Sequence, residues 1–560
     1  MKKMLSVLLS ILTLVAVLCS CGKQSDNKGA IINMYLGSEL RNYDPALAYT
    51  DESAVKFFEL IYEGLFDISD SGKVTKALCK NYKTWEDDGE TVMEIELIDS
   101  RWNDGRTVKA DDIIYAWKRI LDPEFSSPAA ALLYDIKNAR AVKEGTMSID
   151  DLGLYSEDTK IMQIILEKDT DVDLFIETLA SPALVPVRED QVTKGSQWSL
   201  SSSSIMTNGP FYIKSFDSDY ANKTLVLERS TFYHTNEKKS VAYDKYVTPY
   251  RIVVDYSKNA EERAEAYSNK ELFFMSNIPA GESKNFKKVS SSELLSTYTY
   301  IFDTTNPLFE KSEVRRAMSL ALDRNEIANR VGDNTLAATG LVPNGVFNTG
   351  AKTSFRKQGG NLISADANMD EAKNLLKQAG VSGGKFTLTY QNSDKNKTIA
   401  EYAKEVWEEL GFQVTLNAVA SNGFRTAYTD GKFDVIGLDY QALSTNAWSM
   451  LAPFAYQFAG NAFDLSTAEV EYVPHISGYD SEDYNSLISS AFDAKKRADK
   501  AEYLHQAESL LMEDMPCIPV IFNVDTYATQ ELSGIKENAF GIKIFTSTKQ
   551  KNFKKYLPEQ

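Results

Sequence analysis

The stretch from residue 386 to residue 438 does most to limit what this chain can become. Phe386, Leu388 and Tyr390 alternate with polar residues, the two-residue period of a half-buried strand. Ile399, Ala403, Val406, Trp407 and Leu410 follow at helical spacing, and Gly411 stands where a left-handed residue closes a helix. Phe412, Val414 and Leu416 alternate as the next strand, and a third strand candidate runs from Phe433 to Leu438. Strand, helix, strand with short links is a βαβ unit, so an α/β protein with a parallel sheet is expected.

The rest of the chain carries signals of the same kind. Met93, Ile95 and Leu97 alternate with Glu94 and Glu96 as a strand, and Trp102-Asn103-Asp104-Gly105 makes a turn. Ile113, Ala116, Trp117, Ile120 and Leu121 then share a helical face that ends before Asp122-Pro123. Lys160 to Leu166 is a further strand candidate. Val314, Ala317, Met318 and Ala321 line one helix after Ser312; Ala372, Leu375, Leu376 and Ala379 line another before Gly380. Asp323 with Glu326 has the spacing of a capping box. Ser199 to Ser204 reads as a connection between lobes, and no internal repeat is visible. At 560 residues the chain exceeds one hydrophobic core, so two or three lobes are expected.

Hydrophobic content of 43% and charged content of 25% are those of a globular protein. A net charge of -18 disfavours nucleic acid, which needs a basic footprint. Of the four cysteines, Cys79 and Cys517 lie in the body of the chain, too few for a disulfide scaffold, and two buried thiols are expected. His234, His475 and His505 lie far apart, without metal-ligand spacing, so neither a metal nor a cofactor is expected. No nucleophile elbow, phosphate-cradling loop or zinc-protease helix occurs, and the paired carboxylates Asp111/Asp112 and Glu261/Glu262 read as solvated helix faces. The expectation is a binding protein, not an enzyme.

The N-terminus bears on location. Lys2 and Lys3 precede an apolar run from Met4 to Leu18, too short to span a bilayer comfortably. Ser20-Cys21 and polar sequence follow. This resembles the bacterial lipoprotein signal, which implies cleavage of residues 1–20, a lipid on Cys21 and a flexible tether over residues 21–29. The alternative is an ordinary secretory signal cut nearby. No other segment approaches transmembrane length, so the body of the chain is expected to be soluble, on the extracytoplasmic face, held at the membrane through its lipid.

Several segments, in order, resemble the extracytoplasmic oligopeptide- and dipeptide-binding proteins of ABC importers, solute-binding protein family 5. They are Asn42-Tyr43-Asp44-Pro45-Ala46, Tyr62-Glu63-Gly64-Leu65, Arg101-Trp102-Asn103-Asp104-Gly105 with Lys109-Ala110-Asp111-Asp112 and Trp117, Asn208-Gly209-Pro210-Phe211, Val314-Arg315-Arg316-Ala317, Asp323-Arg324 and Met515-Pro516-Cys517-Ile518-Pro519. Lys109 replaces a capping Thr, so that helix start is expected to be weaker. The resemblance implies a two-lobed, type II periplasmic-binding-protein (Venus-flytrap) fold with an additional α+β domain inserted in the first lobe. It assigns residues 30–70, 203–297 and 521–560 to lobe I, 71–202 to the additional domain and 298–520 to lobe II, with Ser296 to Phe302 crossing between lobes. It also implies a monomeric receptor that captures peptides, oligopeptides first, and delivers them to a membrane permease driven by cytoplasmic ATPases. Alternatives are the same fold holding a nickel chelate, haem, an oligosaccharide or a signalling peptide, and a surface lipoprotein hydrolase.

In peptide-binding members an Asp of lobe II pairs with the peptide's α-ammonium. Gly437-Leu438-Asp439-Tyr440, at the end of a strand candidate, occupies that place, so Gly437, Asp439 and Tyr440 are the expected site, with Asp439 the anchor. Asp439 as a loop cap is the other reading. Tyr49 and Thr50 lie in the resemblance's ligand-facing loop of lobe I, where backbone groups pair with an extended peptide. Trp448 either walls a side-chain pocket or packs in the core. The nearest arginine before Asp439 is Arg425, so no clamp for a peptide carboxylate is assigned.

Overall fold

The computed structural model describes residues 28–39, 42–47, 52–199, 205–217, 223–234, 246–348, 353–461 and 475–557. The parallel unit is present. Strand Lys385–Gln391 pairs in parallel with Gln413–Val419, Leu388 opposite Leu416, and helix Asp394–Glu409 crosses between them. Val435–Gln441 joins the other side of Lys385–Gln391, again parallel. The helix buries Ile399, Ala403, Val406 and Trp407, and the Trp407 indole donates to the Met318 carbonyl at 2.9 Å. Gly411 follows with a φ of +96°, packed so tightly that an added Cβ would lie 2.7 Å from the Ser382 carbonyl oxygen.

These strands form one side of a mixed sheet. It continues through Val289–Phe302, Cys517–Thr529, Phe274–Met275, Ile31–Tyr35, Arg251–Asp255, Thr224–Arg229 and Phe211–Asp217. The two long strands in the middle, Val289–Phe302 and Cys517–Thr529, are antiparallel neighbours that carry the chain from one lobe to the other. Their register slips twice. Glu293 faces Val524, yet the next pair is Thr297 with Phe522, so residues 294–296 bulge against Asn523. The second slip, between Tyr298/Ile521 and Thr299/Pro519, falls where Pro519 has no N–H for the ladder. The Pro519 carbonyl is taken by Arg324 Nε at 2.7 Å instead.

A separate four-stranded antiparallel sheet runs Cys79–Asp87, Glu90–Leu97, Ile161–Ile165, Leu154–Asp158, with helix Ala110–Ile120 beside it. Lys109 gives that helix no side-chain acceptor, as its identity requires. The Asp112 carboxylate reaches back to accept the Lys109 N–H at 2.9 Å and the Trp102 indole N–H at 3.0 Å, so the helix start is held from inside. Asp112 is therefore a capping group rather than a solvated one. Glu261 and Glu262 are exposed as expected, and Glu262 in addition caps its helix by accepting the Asn259 N–H at 2.8 Å.

The family-like motifs meet in space. Asn208 donates to the Glu63 carbonyl at 2.8 Å and accepts the Glu63 N–H at 3.1 Å, while an added Cβ on Gly209 would lie 2.5 Å from Tyr62 N. Asp44, buried, accepts both terminal nitrogens of Arg119, at 3.0 and 2.5 Å. Arg315 donates to the carbonyls of Phe309, Glu310, Asp514 and Met515. These motifs hold chain segments together through buried, satisfied polar groups. Cys79 and Cys517 are both buried and free, with burial pushing the Cys79 thiol up to about 11. Among the described residues no helix is long and apolar enough to cross a membrane.

Candidate ligand-binding site

A cavity of about 260 Å³ opens between the two lobes beside the bulged crossing strands. Tyr35, Ser53, Arg263 and Asn277 line it together with Arg330, Lys395 and Asp439, and Asn523 of strand Cys517–Thr529 lies among them. A larger cavity, about 950 Å³, lies among Glu59, Asp67, Tyr233 and Asn538. Its lining includes no residue between 298 and 520, so Asp439 takes no part in it. Burial raises the Glu59 carboxyl well above the usual range, and Asn538 donates to it at 3.1 Å. The smaller cavity, between the lobes, lies where ligand sites most often form.

Asp439 stands on strand Val435–Gln441, where alternation puts Gly437, Asp439 and Gln441 on one face. Its backbone is opposite Tyr298 of the first crossing strand. The carboxylate accepts Lys395 Nζ at 2.8 Å and Asn523 Nδ2 at 2.8 Å. Asn523 Nδ2 also donates to Ser296 Oγ at 2.8 Å, and its Oδ1 accepts Lys395 at 3.3 Å. The bulge at 294–296 makes this possible, because it brings Ser296 and Asn523 to the strand that carries Asp439. Bulges re-aim side chains beside functional sites for this reason.

Lys395 is the unexpected member. It is the second residue of helix Asp394–Glu409, whose Ser393 cap accepts the Asn396 N–H at 3.2 Å. A cation in the first turn opposes the helix dipole and needs an outside carboxylate to hold it. Asp439 supplies one. The site thus already contains an ammonium against Asp439, in the arrangement that a ligand ammonium would need.

The other expected residues fall as follows. Gly437 leaves room for packing: an added Cβ would lie 2.5 Å from the Tyr298 hydroxyl. Tyr440, on the opposite face, is buried against Phe454, with its hydroxyl donating to the Met450 carbonyl at 3.0 Å. Trp448 is not among the residues that line the interlobe cavity. It is buried between Phe458 and Phe492, and its indole donates to the Ala131 carbonyl at 3.2 Å, joining the second lobe to the segment 128–132. Tyr49, Thr50 and Cys21 lie outside the described residues, as does the Arg425 side chain. Among the described residues no group of His, Cys, Asp and Glu could hold a metal ion.

Reading the sequence alone missed Lys395, Asn523 and Arg263. A signal existed for the first: Ser393-Asp394-Lys395 opens a helix with a base where acids are favoured. None existed for Asn523, since only the bulge aims it.

Two long shared strands, two lobes and a cavity beside those strands make the fold of a solute-binding protein of the periplasmic-binding-protein type. The bacterial extracellular solute-binding proteins, family 5 (middle region), match residues 73–462, well over half of the chain, and the protein belongs to that family. It is 26% identical over 504 residues to the periplasmic oligopeptide-binding protein OppA of Escherichia coli (strain K12), covering 87% of this chain and 86% of that one. It is 25% identical over 518 residues to the dipeptide-binding protein DppE of Bacillus subtilis (strain 168), covering 90% and 89%. The structure of Listeria monocytogenes OppA bound to peptide superposes with a TM-score of 0.78 at 21% identity, over 93% of this chain and 99% of that one, so the fold is shared.

Proposed function

We propose that the protein is a receptor that captures peptides outside the cytoplasm and delivers them to the permease of an ABC importer, with no bond made or broken in this chain. The observation that carries this reading is Asp439: a carboxylate on the interlobe cavity with an ammonium already 2.8 Å from it. A peptide's α-ammonium takes that position by displacing Lys395. The names of its relatives, which bind oligopeptides and dipeptides, support the same reading. The receptor works as a monomer, anchored by a lipid on Cys21, with Tyr49 and Thr50 meeting the peptide from lobe I. Its lobe I comprises residues 30–70, 203–297 and 521–560, its additional domain 71–202 and its lobe II 298–520. Ligand that prefers the closed arrangement draws the lobes together.

Calorimetry with Ala-Ala-Ala and its N-acetylated form tests the reading. Binding of the free amine and none of the acetylated peptide is expected; equal binding of both overturns the role of Asp439. Native mass spectrometry of protein taken from cells should show short peptides, and a metal chelate or sugar instead would overturn the peptide reading. For the anchor, Cys21→Ala should release the protein from the membrane fraction, and continued detergent-dependent retention would sink the lipid assignment.

A further inference from the structure

A short lysine-rich run occurs twice in this chain, as Lys284-Asn285-Phe286-Lys287-Lys288 and as Lys551-Asn552-Phe553-Lys554-Lys555. The fold brings the two copies to one end of the first lobe. The first runs directly into strand Val289–Phe302, whose Val289 is opposite Ala528 of Cys517–Thr529. The second follows Lys549–Gln550, which pairs with Leu532–Ser533 just past the end of that same strand. There the Lys551 N–H donates to the Glu531 carbonyl at 2.8 Å. In each copy the phenylalanine packs inward: the buried Phe286 ring lies 5.0 Å from that of Tyr267, and the half-buried Phe553 packs against the main core. The lysines of both copies, and Lys549 beside the second, are exposed. Among the described residues none of them is paired with a carboxylate. The nearby acids are already engaged, Glu531 by Lys270 at 2.6 Å and Glu282 by Asn285.

The start of the described chain lies at this end too. Met34 is level with Phe274, and Phe274 with Thr529, so strand Ile31–Tyr35 begins at the end of the sheet where Cys517–Thr529 finishes. Arg229 donates to the Lys28 carbonyl at 3.1 Å. Thr248, against which Gly29 packs, donates its N–H to the Thr546 carbonyl at 2.7 Å, close before Lys549 in the chain. Cys21 stands seven positions before Lys28, so a lipid there lies within about 25 Å of this end. From this placement we infer that the lysine-bearing end of the first lobe is a docking face for the anionic phospholipid surface beside which the protein is held. The inference rests on the proposed lipid at Cys21, which keeps the two surfaces near enough for charges to act over a Debye length of about 8 Å. The chain as a whole carries a net charge of -18, so the same surface repels the rest of the body. Attraction at one end and repulsion elsewhere orient the receptor on the membrane. Lysines suit the task, because point charges on flexible stems can follow mobile headgroups.

Co-sedimentation of the unlipidated Cys21→Ala protein with vesicles tests the docking face without the tether, so the two can fail separately. Vesicles of phosphatidylglycerol mixed equally with phosphatidylcholine should bind it about tenfold or more tightly than vesicles of phosphatidylcholine alone in about 0.05 M salt, and the advantage should vanish in about 0.5 M salt. Residues 4–18, if retained, contribute alike to both vesicles, so the difference between them is the quantity to read. In the same background Lys287→Gln/Lys288→Gln and Lys554→Gln/Lys555→Gln should each weaken binding to the anionic vesicles by about tenfold, several-fold for each lysine near the surface. Lys373→Gln/Lys377→Gln, exposed on helix Met369–Ala379 of the second lobe, should leave that binding unchanged. Equal binding to the two kinds of vesicle would overturn the inference, as would a second-lobe pair that weakens binding as much as the first-lobe pairs do. Either result would leave the peptide reading and the lipid anchor standing.

Discussion

Two ion pairs of the second lobe use the same chemistry to opposite ends. Arg356 and Glu508 meet through two bonds of 2.7 Å, with side chains only 3% and 0% exposed. Glu508 also accepts the Val342 N–H at 2.9 Å, and Gly340 is so close that an added Cβ would lie 1.7 Å from Arg356 Nη1. Lys395 and Asp439 meet through one bond of 2.8 Å, at 27% and 11% exposure, on the wall of a cavity. In the first pair neither partner can leave without stranding a buried charge. In the second the ammonium is partly exposed, a point charge on a flexible stem that also donates to Asn523 at 3.3 Å. One pair is architecture; the other is the one that the proposed peptide ammonium would displace.

Glu508→Gln leaves the Arg356 guanidinium buried without its counter-ion and should cost about 3–5 kcal/mol of stability, read as a lowered urea midpoint with an unchanged slope. Peptide affinity of the folded protein should not move. Asp439→Asn should do the reverse, lowering affinity for a free-amine peptide by about 100-fold, the upper range for a charged hydrogen bond. Its ligand-free melting temperature should stay near that of the natural protein, since Lys395 is partly exposed. Should Asp439→Asn destabilise as much as Glu508→Gln, the two pairs are alike and Asp439 is structural. Lys395→Met removes the competing ammonium, so the same peptide should bind several-fold more tightly. An unchanged or weakened affinity would mean that Lys395 stays in place when ligand arrives.

The contrast also marks what the sequence could and could not disclose. The parallel strands around Leu388 and Leu416 and the helix bearing Trp407 are local patterns, so periodicity was enough to place them. Gly411 follows its helix in the positive-φ conformation that its position implied. Asp439 could be singled out by resemblance, yet nothing nearby in the chain announced its partner, 44 residues upstream. Asn523 reaches Asp439 only because a bulge shifts the register of two strands that lie far apart in sequence. Trp448 shows the opposite failure: a large aromatic near the site is legible as buried, but which surface it buries is set by the tertiary packing of residues 128–132. Asp44 and Arg315 likewise sit in motifs that carry the resemblance and prove to bind Arg119 and backbone carbonyls.

The smallest effect concerns a third kind of pair, neither buried nor in the cleft. Arg497 of the second lobe reaches Asp171 at 2.5 Å, and Asp171 also caps helix Val172–Thr178 by accepting the Leu174 N–H at 3.1 Å. Both side chains are about one-third exposed, so the pair should contribute only about 0.5 kcal/mol. The Arg497 hydrogen bond holds the Asp171 carboxyl below the usual carboxylate range. Because the folded value lies below the unfolded one, the stabilisation is complete above about pH 4 and disappears as pH falls through the folded value. Arg497→Gln should therefore melt slightly below the natural protein at neutral pH, and the gap should close in acid. It should also shrink in about 1 M salt, where screening acts over about 3 Å. A gap that survives both acid and salt would show that Arg497 acts by packing rather than by charge. Surface pairing between the second lobe and the segment around Asp171 would then drop out as a means of holding these regions together.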